Sequence, residues 1–150
     1  MREVLGEANE ELKRADHLIY VSLKYTRSVD VIKSVFERLI NAYSIVFRGL
    51  LVKAKEKKLL AQIPTSPGSQ CDLVREIYRD DLELLDYIKF YLLLRKMDQG
   101  KFTRAHEFRR NVTMTVTVDN KQMEVNIDIV TEYYKRSLKF LEYAKERFLR

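Results

Sequence analysis

The sequence predicts a mainly α protein, an antiparallel four-helix bundle with a small β-hairpin inserted between its third and fourth helices. Three observations predict it. Apolar residues step by three and four over most of the chain, Gly and Pro number only four and two among 150 residues, and one short segment alternates with period two instead. With 46% hydrophobic and 33% charged residues, residues 1–150 can bury a core as one domain. Collagen-like and disordered classes are excluded, because they lack the apolar content to offset the entropy of ordering.

Helix one is expected from about residue 2 to 26, with Leu5, Ala8, Leu12, Ala15, Ile19 and Ser22 along a single stripe. Thr26-Arg27-Ser28 ends it. Ser28 is placed to cap helix two, and Asp30 falls in the first turn, where a carboxylate meets the positive end of the helix dipole. Ile32, Val35, Phe36, Leu39, Tyr43, Val46, Phe47 and Leu50 carry helix two to about Lys58. The breakers between Pro64 and Ser69 read as a helix–helix connection. Asp72 is the expected cap of helix three, which Val74, Ile77, Tyr78, Leu85, Ile88 and Leu92 extend from about 71 to 97, ending near Gly100. Helix four is expected from about Asp128 to the C-terminus, through Val130, Tyr134, Leu138, Leu141, Ala144 and Phe148.

The period-two segment is the hairpin. Val112, Met114, Val116 and Val118 alternate with threonines, and Met123, Val125 and Ile127 alternate with Glu124 and Asn126. A two-residue loop at Asp119-Asn120 would set Val116 opposite Met123, Met114 opposite Val125 and Val112 opposite Ile127. A four-residue loop, 119 to 122, would pair Val118 with Met123. Either register leaves one apolar face. A lone hairpin is marginal in water, so that face must cover the bundle end or a second subunit.

The 28 basic and 22 acidic residues give a net charge of +6, which permits contact with nucleic acid or anionic surfaces. Cys71 has no disulfide partner, and one thiol with two histidines cannot build a four-ligand Cys/His zinc site. A reducing, cytoplasmic setting is expected, with no cofactor and no metal. The charged N-terminal segment lacks a signal-peptide core, and no stretch reaches the roughly 18 apolar residues of a membrane span.

The charge runs divide into three. Arg48, Lys53, Lys55, Lys57 and Lys58 close helix two, opposite Asp72, Glu76, Asp80, Asp81, Glu83 and Asp86; the expected use is cross-helix pairing in an antiparallel hairpin. Glu83 with Asp86, and Glu7 with Glu10, have the spacing of carboxylates that share magnesium, a use that requires all four to face inward. Residues 95–110 hold Arg95, Lys96, Lys101, Arg104, Arg109 and Arg110 around His106, against only Asp98 and Glu107. Lys24 and Arg27 are expected at the same end of an up-down bundle. Phe102 and Phe108 are interleaved with these cations, as stacking on RNA bases would require, although a connector also uses such residues as anchors. His17 is expected at the boundary of the helix-one stripe. Tyr87, Tyr91, Tyr133 and Tyr134 are expected in the core or in a subunit contact.

The segment ANEELKRADHLIYVSLKYTRSVDVIKSVFERLI, followed by a third helix, an Arg-rich connector and a final helix, resembles HEPN-type helical bundles. The resemblance implies a dimeric, cytoplasmic, prokaryotic protein that acts on RNA or partners a nucleotidyltransferase. Active members of that family carry an Arg, usually followed by a polar residue, and then a His with four to six residues between the Arg and the His. Here Gln99, Gly100 and Lys101 stand where His106 would need its Arg, and Thr115, Val116 and Thr117 stand where Arg110-Asn111 would need its His.

Three functions are therefore expected in order. The first is a non-catalytic HEPN-like module that binds RNA or a partner protein through Lys101, Arg104, His106, Arg109 and Arg110, with phosphate contacts dominating affinity. The second is an RNase that uses His106 with Arg104, Arg109 or Arg110 as phosphate clamps. The third is a structural homo-oligomer joined through the hairpin and the Tyr-rich helix faces.

Overall fold

A computed structural model describes residues 1–149. Its longest helix is α2, Val29–Glu56, whose Ile32, Val35, Phe36, Leu39, Tyr43, Val46 and Leu50 are fully buried. Helix α1 runs from Arg2–His17 through a π-helical turn, Leu18–Ser22, into a last α turn, Leu23–Tyr25, and packs along α2. Its stripe is the expected one as far as Ile19, after which Leu23 rather than Ser22 takes the core position. Ser28 caps α2 as expected, its Oγ accepting from Val31 N at 3.2 Å. At the other end Lys58, in the left-handed region at φ 62°, lets Leu59 N reach Ala54 O at 2.9 Å and Lys58 N reach Lys55 O at 3.0 Å. That pair of bonds satisfies the last carbonyls of the helix.

The expected third helix is two. Helix α3, Pro67–Ile77, is capped by Ser66 with Pro67 at its first position, and Asp72 lies inside it rather than capping it. The chain then turns at Tyr78 to Asp80, and α4, Leu82–Gln99, starts on Asp81, whose Oδ1 accepts from Leu84 N at 3.1 Å. A short capping carboxylate competes with helix continuation by bonding the backbone locally. With α5, Ile127–Phe148, the described residues form five helices rather than four.

The hairpin is part of a three-stranded antiparallel sheet, β1 (Phe102–Ala105), β2 (Thr113–Val118) and β3 (Lys121–Val125), in that spatial order. In β2–β3, Val116 pairs with Met123, Met114 with Val125 and Val118 with Lys121, so the loop is the two-residue one. Asp119 and Asn120 both have positive φ, at 50° and 65°, the mirror-image turn that suits strand twist. Strand β1 is unexpected, because the sequence reading assigns these residues to a connector. It pairs Phe102 with Val116 and Arg104 with Met114.

The apolar face of the sheet, Met114, Val116 and Val125, is fully buried against the helices, as is Val112 just before β2. Of the two covers expected for that face, the helices are the one seen. Gly100 makes this docking possible, since a Cβ there would lie 2.7 Å from Thr117 O and 2.8 Å from Val116 Cγ2. Among the described residues no helix is long and apolar enough to cross a membrane.

The centre of the core is aromatic. Tyr43 stacks on Phe140 with centroids 4.3 Å apart, and Phe47, Tyr91 and Phe90 surround the pair. Tyr91 donates to or accepts from Ser44 Oγ at 2.9 Å, and Tyr134 OH donates to Asp16 Oδ2 at 2.8 Å. Tyr43 OH has no hydrogen-bond partner among the described residues, and burial pushes its pKa up. The adjacent Ser137 hydroxyl donates instead to Tyr133 O at 2.9 Å.

Two stability predictions follow from these contacts. Tyr43→Phe removes an unsatisfied polar atom and is expected to raise unfolding free energy by about 1 kcal/mol in urea titration. Gly100→Ala forces backbone apart where α4 meets β2 and is expected to lower it by about 2 kcal/mol.

Candidate nucleic-acid interface

Segment 106–112 follows β1 and is folded rather than extended. Arg109 N donates to His106 O at 3.2 Å and Val112 N to Arg109 O at 3.0 Å, which makes two successive turns. His106 and Phe108 both adopt positive φ, at 56° and 66°. Positions of this kind usually take Gly or Asn, and a bulky side chain there costs about 1 kcal/mol or more. Three contacts hold the segment in that shape against the α1–α2 turn. Phe108 N donates to Arg27 O at 2.7 Å, Glu107 Oε2 accepts from Val29 N at 3.1 Å, and Arg104 bridges Asp30 Oδ1 at 2.9 Å and Glu107 Oε1 at 3.2 Å. The first N–H groups of α2 are orphans of the helix ladder, so Ser28 and Glu107 together satisfy what the helix cannot.

The five predicted residues meet different fates. Arg104 is committed to Asp30 first and Glu107 second, hydrogen bonds that raise its pKa above its already high ordinary value, and its guanidinium also lies 5.3 Å from the Phe102 ring centre. Lys101 stands at the far end of β1, where its carbonyl accepts from Thr117 N at 2.9 Å. Arg110 borders a cleft of about 260 Å³ with Asn111, Thr113, Asn126 and Asp128, and the other four do not line it. His106 and Arg109 are exposed. Lys101, His106, Arg109 and Arg110 make no ion pair among the described residues, whereas Arg104 is neutralised and acts in positioning. Nothing among the described residues hydrogen-bonds the His106 ring, and the arginine clamp expected around it is missing one of its three members.

The two connector phenylalanines also separate. Phe102 is half-buried and covered by Lys33, whose Nζ is 4.6 Å from the ring centre. It is an anchor. Phe108 is 72% exposed. Since Phe108 N bonds Arg27 O, its ring is carried beside the chain two residues after Tyr25, which is 81% exposed. Lys24 and Arg27 belong to the same turn, as expected, and neither makes an ion pair among the described residues. Sequence reasoning missed Tyr25. The only available signal was that it falls off the helix-one stripe while sitting beside Lys24 and Arg27.

The expected cross-helix pairing is corrected. No ion pair among the described residues joins the basic end of α2 to α3 or α4; Lys53 instead donates to Phe148 O at 3.0 Å, and Asp81 takes Arg147 at 3.4 Å and the hydroxyl of Tyr143. The loop from 57 to 66 separates the two runs. Glu7, Glu10, Glu83 and Asp86 are all exposed, and no group of three or more His, Cys, Asp or Glu gathers among the described residues. His17 is exposed as well.

Glu107→Ala is expected to cost about 1 kcal/mol of stability through the lost helix cap and to speed amide exchange at Val29 and Phe108 selectively, read by hydrogen exchange. No family model matches the chain, and neither the curated proteins nor the solved structures yield a match.

Proposed function

We propose that this protein binds single-stranded RNA at the end of the bundle formed by the α1–α2 turn and segment 106–112. One observation carries the reading: Tyr25 and Phe108, 81% and 72% exposed, flank a backbone hydrogen bond beside Lys24, Arg27, Arg109 and Arg110, which make no ion pair among the described residues. Large exposed aromatics are costly to leave in water, and base faces are the apolar surfaces that tolerate any sequence. Cations without protein partners are free to neutralise phosphates and release counterions. The resemblance to HEPN bundles points to the same class of ligand. Binding rather than cleavage is proposed, because His106 lacks an orienting partner among the described residues and Arg104 is spent on Asp30 and Glu107.

The test is the affinity of the chain for a fluorescent single-stranded RNA across a salt series. Arg109→Ala with Arg110→Ala is expected to weaken binding for all sequences and to lower the log–log salt slope by roughly 1.4. Phe108→Ala is expected to cost about 1–3 kcal/mol of binding with the salt slope unchanged. Affinity indifferent to salt and to all three substitutions would overturn the reading.

A further inference from the structure

At the far end of α2 from the α1–α2 turn, the basic run that closes the helix is left without acidic partners by the fold. Within residues 48–59 the one carboxylate is Glu56, against Arg48, Lys53, Lys55, Lys57 and Lys58. Lys53 is engaged on Phe148 O; the other four cations are exposed and make no ion pair among the described residues. Two aliphatic side chains stand in water among them. Val52, 42% exposed, shares the outer stripe of α2 with Arg48 and Lys55 at spacings of four and three, and Leu59, 61% exposed, directly follows Lys57 and Lys58. Beside Val52 opens a cleft of about 330 Å³ with Val4, Phe148 and Leu149 in its walls.

The turn that carries Lys58 and Leu59 is built against local preference. Lys58 N bonds Lys55 O and Leu59 N bonds Ala54 O, a pair of bonds that usually has glycine at the left-handed position and folds the next apolar side chain back onto the helix. Here a lysine takes φ 62° and the leucine stays exposed. Glycine would end α2 with less strain. Helix termination therefore explains neither the lysine nor the exposure of the leucine.

We infer that this end of α2 docks reversibly on an anionic lipid bilayer, with Arg48, Lys55, Lys57 and Lys58 on the headgroups and Leu59 and Val52 entering the boundary of the acyl chains. The occupant follows from the apolar neighbours of the cations. At the other end of the bundle those neighbours are aromatic rings, whose faces suit bases. Here they are aliphatic; they have no π-face to offer a base and partition instead into hydrocarbon. The contact is peripheral, because no helix among the described residues is long and apolar enough to cross a membrane. It is also reversible, since four cations and two aliphatic side chains fall well short of a spanning anchor. The inference does not rest on RNA binding, which uses the opposite end of α2.

Cosedimentation of the full chain with phosphatidylcholine vesicles containing roughly 30% phosphatidylserine tests it. The wild type is expected to pellet with these vesicles, to ignore pure phosphatidylcholine, and to be released by salt. Lys57→Ala with Lys58→Ala is expected to weaken binding about 25-fold, at about fivefold per cation. Leu59→Ala is expected to weaken it about tenfold with the salt dependence unchanged. Lys58→Gly separates the proposed role from a structural one, because it is expected to raise the urea midpoint and still weaken vesicle binding about fivefold. Circular dichroism checks that each variant folds. No binding to the anionic vesicles, equal binding to neutral ones, or anionic binding that survives all of these substitutions overturns the inference. A lysine-pair variant that keeps its vesicle binding and loses affinity for single-stranded RNA overturns it as well, and assigns these cations to nucleic acid.

Discussion

The structure depends on the burial of α2. A helix of 28 residues, about 42 Å long at 1.5 Å per residue, is surrounded by α1, α3, α4, α5 and β2, and its terminal peptide groups cannot all turn to water. At the N-terminal end this creates a demand for acceptors that lie within the protein. Ser28 supplies one locally and Glu107 supplies another from far along the chain. Once Glu107 is fixed there, Arg104 and Phe108 are fixed with it, and the shape of the basic segment becomes a consequence of helix termination. The backbone strain at His106 and Phe108 is held in place by these bonds and not by the segment's own preferences.

What the sequence revealed, and what it hid, follows from the range of each interaction. The stripes of α1, α2 and α5 and the register of β2 and β3 are written in periods of 3.6 and 2, so they were legible at once. The break between α3 and α4 was hidden because Ile77 and Leu84 are seven residues apart, nearly two helical turns, and the apolar phase continues through the interruption. Strand β1 was hidden for the opposite reason. Its four residues carry little pattern of their own, and they become a strand only because β2 presents an unpaired edge. At the candidate site the residue types were legible, while the division of labour was not. Arg104 and Arg109 look alike in the sequence, yet Asp30 is adjacent to only one of them after folding.

The excess of positive charge is thus distributed among roles that composition cannot separate. Arg104 ties a segment down, Lys33 and Arg136 rest on aromatic rings, and Lys53 closes the end of α5. Arg109 and Arg110 are left over. The surface proposed for RNA draws on what is left over, isolated cations beside exposed rings at one end.

Asp81 carries an implication of its own. The same carboxylate starts α4, receives the hydroxyl of Tyr143 and pairs with Arg147. The elbow after α3 and the final turns of the chain are therefore one cooperative unit. Fraying at the carboxyl end would withdraw partners from the residue that interrupts α3 from α4, so motion at a terminus would be felt as loosening of a bend more than sixty residues earlier in the sequence.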